Sequence, residues 1–149
     1  MKSTCKAFVL LLAVLVCLFI TTSCGRETIQ FEYDELSRNL DRIEVVNITT
    51  DYDPEYKTNI EVIKTLEEDM HETVLREIAS MNFHVMFGAP RPLEGKGIII
   101  YDDTFRLIIT QTVICKVYLE DNSPELLSGE FWYEISIEGD FDKLLSEIS

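Results

Sequence analysis

The stretch Gly97–Thr110, GIIIYDDTFRLIIT, contains two runs of β-branched and other apolar residues separated by Asp102-Asp103. Aspartate is rare in strands and common in turns, so we expect the pair to join two antiparallel strands. Ile98–Ile100 and Leu107–Ile109 are apolar at successive positions and therefore on both faces of a strand. The stretch thus predicts two central strands of a sheet that is covered on both sides.

The chain after this hairpin predicts two more strands and a helix. Gln111–Leu119 is rich in β-branched residues, and Phe131–Glu138 alternates, with Trp132 on its polar face. Asp140 is the expected N-cap of a last helix. The apolar side of that helix is Phe141, Leu144, Leu145 and Ile148.

Upstream of this hairpin, we expect a strand at Arg42–Thr50 and the main helix at residues 66–80. Thr65 and Glu68 have the spacing of a capping box, which places the start of the helix. Apolar residues recur with helical period and form the side that packs on the sheet: Leu66, Met70, Val74, Ile78 and Met81.

The short links after residue 97 favour antiparallel pairing over βαβ units. We therefore expect an α+β fold: a single antiparallel sheet of about five or six strands, one main helix packed on a face, and a short C-terminal helix. Residues 31–149 have the length of a single domain, and residues 24–30 are expected to be a tether.

Four segments of the chain are similar to one known group of proteins. They are IEVVNIT, IKTLEED, GKGIIIYDD and FDKLLSEI, and they resemble small, uncharacterised lipoproteins of gut Gram-positive bacteria. This resemblance supports the α+β architecture and implies no activity.

The N-terminus has the pattern of an export signal. Lys2 and Lys6 precede the uninterrupted apolar run Ala7–Ile20, which is shorter than a membrane-spanning helix needs. Thr21, Thr22 and Ser23 then lead to Cys24, and the whole segment resembles the bacterial lipoprotein signal. The resemblance implies a signal peptide of residues 1–23, a lipid on Cys24, and a mature chain held at the extracytoplasmic face of the cell membrane.

Two alternatives remain open for this segment. Thr21 stands where lipoprotein signals usually have a leucine-like residue. Ordinary cleavage would give a soluble secreted protein. Retention of the uncharged span Ala7–Gly25 would instead give a short membrane anchor.

The charge of the mature chain restricts its partners. The mature chain, which begins at Cys24, keeps eleven of the 13 basic residues and all 27 acidic residues, so its net charge is −16. Nucleic acid and anionic lipid surfaces repel such a chain, whereas a basic partner or divalent cations would be attracted. If Cys24 carries a lipid, Cys115 is the only thiol left, and no disulfide can form within the chain.

No motif in the sequence indicates catalysis or a cofactor. His71 and His84 lack a further ligand at metal-binding spacing, and Cys115 lies on an apolar strand face, where a thiol is unreactive. Asp51, Asp53 and Glu55 are spaced as in the first part of a calcium loop, but the glycine and closing glutamate are missing. We expect no metal ligands and no catalytic residues.

The sequence therefore predicts a non-enzymatic, lipid-anchored binding module at the cell envelope, with a protein or other envelope ligand as its partner. Trp132 is the candidate contact surface, because exposed tryptophan is enriched at binding hot spots. The alternative for Trp132 is that the 120–129 loop or the N-terminal segment covers it. The alternative is a metal-binding protein or enzyme whose acidic side chains converge from separate loops.

Overall fold

The computed structural model describes residues 28–51, 57–85, 92–119, 128–133 and 135–149. Within these ranges the helices are α1 (Tyr33–Ser37), α2 (Glu68–Ser80) and α3 (Phe141–Ile148). The strands are β1 (Thr28–Ile29), β2 (Leu40–Asp51), β3 (Lys57–Thr65), β4 (Asn82–Val85), β5 (Gly95–Asp102), β6 (Phe105–Thr110), β7 (Val113–Tyr118), β8 (Ser128–Tyr133) and β9 (Ile135–Glu138).

The larger sheet has six strands in the order β3-β2-β5-β6-β7-β8, and each neighbouring pair is antiparallel. The expected hairpin is confirmed, and β5 and β6 lie in the middle of this sheet. Its turn is Asp103-Thr104, one residue later than expected, because Asp102 still pairs with Leu40 of β2. The Asp102 carboxylate fixes the turn by accepting hydrogen bonds from the Thr104 amide at 2.8 Å and the Thr104 hydroxyl at 2.7 Å.

A second sheet, of the order β1-β4-β9, shows that the prediction of a single sheet is wrong. The segment Phe131–Glu138 does not form one strand. Its first half belongs to β8 in the large sheet, and its second half is β9, which pairs with β4. The alternating pattern specifies an extended chain but not its neighbour, so the change of sheet is decided by packing. Thr28 and Ile29, within the expected tether, form β1 and pair with β4.

The main helix α2 begins at Glu68, two residues later than expected. Thr65 is the last residue of β3, opposite Glu44, and the N-cap residue is Glu67, which makes no side-chain capping bond. The capping-box prediction is therefore wrong, because strand pairing holds Thr65 out of the helix. The expected apolar side is confirmed, since Leu66, Val74, Ile78 and Met81 are buried.

Polar side chains hold two of the helices in place. The Asp140 carboxylate accepts a hydrogen bond from the Lys143 amide at 3.0 Å and caps α3, as expected. At α1, Glu35 forms an ion pair with Lys116 of β7, whose ammonium lies 4.4 Å from the centre of the Phe105 ring. This pair and the fully buried Leu36 hold α1 against the large sheet.

Both faces of the large sheet are buried at its centre. The first face packs with the second sheet and all three helices in one apolar core that includes Leu36, Leu75, Phe83, Ile100, Ile109 and Leu144. The opposite face has a smaller apolar cluster, against which the partly buried Leu93 packs. Its buried residues are Val46, Ile48, Ile99, Ile108, Cys115 and Val117. The expectation that Ile98–Ile100 and Leu107–Ile109 are covered on both sides is thus confirmed.

Candidate functional site

The two predicted site residues, Cys24 for the lipid and Trp132 for a partner, are not fully described by the structure. Cys24 is outside the described residues. Trp132 is placed by its backbone only, opposite Ile114 in the β7–β8 pair. Its side chain is outside the described part, so the proposed Trp132 surface stays a prediction.

Both histidines make contacts that join elements of the fold. Nε2 of His71 lies 3.2 Å from the carbonyl oxygen of Leu66, so the ring ties the start of α2 to the link from β3. Nδ1 of His84 lies 3.1 Å from the hydroxyl of Thr28 and connects β4 to β1. These contacts hold each ring in a defined position.

Cys115 is buried in the smaller apolar cluster and is only 2% exposed. Burial raises the pKa of its thiol from 9.0 to about 12, because the thiolate would have to leave water. The side chain is therefore held in the unreactive form at neutral pH. The carboxylate of Asp51 accepts a hydrogen bond from the Asn59 amide at 3.3 Å, whereas Asp53 and Glu55 lie outside the described residues.

Among the described residues, no three His, Cys, Asp or Glu side chains are grouped so that they could hold a metal ion. The structure also contains a concave surface that no sequence motif predicted. It lies where the end of the β6–β7 hairpin meets α3.

The first half of this surface is a hollow of about 460 Å³ at the start of α3. Its apolar wall consists of Ile135 and Ile137 of β9 with Phe141, and its polar wall contains the exposed Gln111, Asp140 and Asp142. The first hollow therefore combines exposed polar groups with a limited amount of apolar surface.

The second half is a hollow of about 370 Å³ along the same helix. Its polar residues are Lys96, Gln111, Asp142, Ser146 and Ser149, and Leu145 supplies its apolar part. Gln111 and Asp142 line both hollows, and the Gln111 side-chain amide donates to the Asp142 carboxylate between them. We call the two hollows together the α3 groove.

The turn that leads into the α3 groove is fixed by Gly139. Its φ angle is +138°, and a Cβ atom at this position would lie 2.8 Å from Cγ of Met81. A larger residue would have to displace Met81, which is buried beneath the turn. The backbone that presents Asp140 and Asp142 is therefore held by the core.

A separate polar cluster lies around Glu44 of β2. Glu44 is 7% exposed, and one of its oxygens accepts a hydrogen bond from Nε of Arg42 at 2.8 Å, while the other is buried and has no hydrogen-bond partner among the described residues. The bond to Glu44 raises the pKa of Arg42, whose guanidinium stacks 3.7 Å from the ring centre of Tyr101. Burial, followed by Glu44, raises the pKa of Tyr101. The cluster holds a carboxylate within the sheet.

The residues of the α3 groove were missed by sequence reasoning because nothing local distinguishes them. Gln111 lies in a two-residue turn, and Asp142 is one of 27 acidic residues, at a separation of 31 positions. The only available signal was the capping pattern at Asp140, which marks the start of α3 and not a cavity.

Comparison with known proteins finds no family model, no curated protein and no solved structure that matches this chain. In the described ranges, no helix combines the length and the apolar composition needed to cross a bilayer.

Proposed function

We propose that this protein is a lipid-anchored, extracytoplasmic binding module that takes up a ligand of the cell envelope in the α3 groove, without catalysing a reaction. Residues 1–23 act as its signal peptide, and a lipid on Cys24 attaches it to the membrane. The observation that carries the binding role is the pair of hollows around Gln111 and Asp142.

Three properties of the α3 groove support this role. Its walls come from β9, the β6–β7 turn and α3, so tertiary packing presets its shape. The partly buried Ile137 provides apolar contact area, and the exposed amide, hydroxyl and carboxylate groups can orient a ligand. The polar groups include two carboxylates, which favour a ligand with hydrogen-bond donors or a positive charge.

Attachment is tested by growing cells that make the full-length protein with a fatty-acid analogue. We expect the protein to be labelled, and Cys24→Ala to abolish the labelling. Cys17→Ala is the matched control, because it removes a thiol from the apolar run without touching the expected lipid site. Unchanged labelling of the Cys24→Ala protein would contradict the anchor.

Binding is tested with a photo-crosslinking amino acid at Ser146, which is exposed and lines the α3 groove. On intact cells we expect a specific adduct from this position and none from Glu77, an exposed residue of α2 that does not line the groove. Gln111→Ala removes the amide between the hollows and should weaken the adduct. An adduct that forms equally at both positions, or at neither, would count against the groove.

The same crosslinked cells test the earlier hypothesis for Trp132. If the partner also contacts β8, Trp132→Ala weakens the Ser146 adduct as Gln111→Ala does. If only Gln111→Ala weakens it, the ligand is held by the groove alone, and the Trp132 surface is removed from the proposal.

A further inference from the structure

Strand β3 forms an exposed edge of the large sheet. In the described part of the chain it pairs with β2 on one side only, and every residue from Thr58 to Thr65 is exposed. Such an edge presents a row of backbone N–H and C=O groups that another strand can use. Ile60 and Val62 are 44% and 48% exposed, and they lie two residues apart on one face of the strand.

These two side chains continue the buried apolar face of the sheet. Ile60 pairs with Ile48, and Val62 pairs with Val46, and both partners on β2 are at most 1% exposed. Cross-strand partners share a face, so the smaller apolar cluster extends to the edge of the sheet and stops there in solvent. A further strand beside β3 would bury Ile60 and Val62.

The regular part of this edge ends at a bulge. Val45 pairs with Lys64 and Val46 pairs with Val62, so Ile63 has no partner of its own on β2. A bulge twists and bends the strand that contains it, which limits further pairing beyond that point. The segment available to another strand is therefore Thr58–Val62.

We infer that the occupant of this edge is β3 of a second copy of the chain, in an antiparallel pair centred on Ile60. Thr58–Val62 reads Thr-Asn-Ile-Glu-Val, in which β-branched and polar residues alternate symmetrically about Ile60. In this register Ile60 lies opposite its own copy, Thr58 lies opposite Val62, and Asn59 lies opposite Glu61.

The symmetry of a two-fold dimer selects this register. When two copies form one continuous sheet, directly opposed residues must belong to the same face of the sheet. Because side chains alternate between the faces, the two-fold axis must then pass between a residue and its own copy. A centre at Glu61 would place two carboxylates opposite each other, which is unfavourable. A centre at Val62 would bring the bulged Ile63 into the ladder, and a centre at Asn59 would place each Ile60 opposite Thr58 rather than opposite another aliphatic side chain. The Ile60 centre buries both apolar residues and allows the second N–H of the Asn59 amide, whose first donates to Asp51, to donate to Glu61.

The register is tested by disulfide trapping in the full-length protein, with Cys5, Cys17 and Cys24 changed to alanine throughout. Single cysteines are placed at positions 59, 60, 61 and 62, and the proteins are oxidised in excess detergent micelles. Directly opposed Cα atoms of an antiparallel pair lie about 4.5–5.5 Å apart, which suits a disulfide. We expect Ile60→Cys to give at least about tenfold more dimer than the other three. A maximum elsewhere, or no dimer above the parent protein, would overturn the inference.

A second measurement uses two substitutions that add the same charge. Ile60→Lys places two ammonium groups opposite each other and should weaken association at least about tenfold in sedimentation experiments. Asn59→Lys, on the neighbouring residue, places lysine opposite Glu61 and should leave association unchanged or tighter. Equal effects of the two substitutions would contradict the register, and a monomer at every concentration would contradict the dimer.

Discussion

At the scale of single residues, Cys115 shows how its place in the sheet determines its chemistry. Its neighbours Val113 and Val117 predicted an apolar strand face, and the structure pairs it with Ile108 in the smaller cluster. Burial then raises the pKa of the thiol above that of an exposed cysteine. A thiol in this state contributes packing and does not act as a nucleophile.

The raised pKa of Cys115 predicts a pH dependence of stability. Between the ordinary pKa of 9.0 and the folded pKa of about 12, the unfolded chain releases a proton that the folded chain keeps. The contribution of Cys115 to the free energy of unfolding is therefore full below pH 9 and is lost as the pH rises through this window. Urea unfolding at pH 7, 8.5 and 10, in reducing buffer, measures the loss.

Cys115→Val is the control for this prediction, because valine fills a similar apolar space and does not titrate. Lysines and tyrosines titrate in the same window in both proteins, so only the difference between their slopes reports the thiol. We expect the stability of Cys115→Val to fall less steeply above pH 9. Parallel slopes would show that the thiol ionises equally in both states.

At the scale of elements, the two long helices begin in different ways. Helix α3 begins as its sequence predicts, with the side chain of Asp140 as its N-cap. Before α2 the same kind of signal misleads, because Thr65 is held in the β2–β3 pair and Glu67 takes the N-cap position. Strand pairing competes with capping for the same residue, and here the pairing prevails.

This difference predicts that a substitution at Asp140 lowers stability, whereas a substitution at Thr65 leaves it nearly unchanged. Asp140→Ala removes the bond to the Lys143 amide and should lower the free energy of unfolding by about 1 kcal/mol. Thr65→Val removes only a hydroxyl that caps nothing and keeps a β-branched residue in the strand, so it should change stability by less than about 0.5 kcal/mol. Urea denaturation measures both, and a loss for Thr65→Val as large as that for Asp140→Ala would restore the capping box.

At the scale of the whole molecule, carboxylates exceed basic residues by two to one, 27 to 13. Ion pairs such as Arg76–Glu72 and Lys143–Glu147 are exposed, and pairs of this kind contribute little to stability. The excess negative charge therefore opposes the compact state through repulsion, and salt should reduce that repulsion.

We expect the melting temperature at pH 7 to rise by a few degrees between 10 mM and 300 mM NaCl, because the screening length falls from about 30 Å to well under 10 Å. The increase should largely disappear near pH 4.5, close to the sequence pI of about 4.4, where the net charge is small. Differential scanning calorimetry in the four conditions is sufficient. A melting temperature that falls with salt at pH 7 would show that ion pairs outweigh the repulsion.

The sequence by itself determined most of the helices and strands, because their signals are local. The hairpin at Asp102, the apolar side of α2 and the cap of α3 each depend on residues a few positions apart. Tertiary structure alone decided that β8 and β9 belong to different sheets, that Thr65 stays in β3, and that Gln111 meets Asp142 in the α3 groove. These outcomes depend on contacts between distant segments, for which periodicity and propensity contain no information.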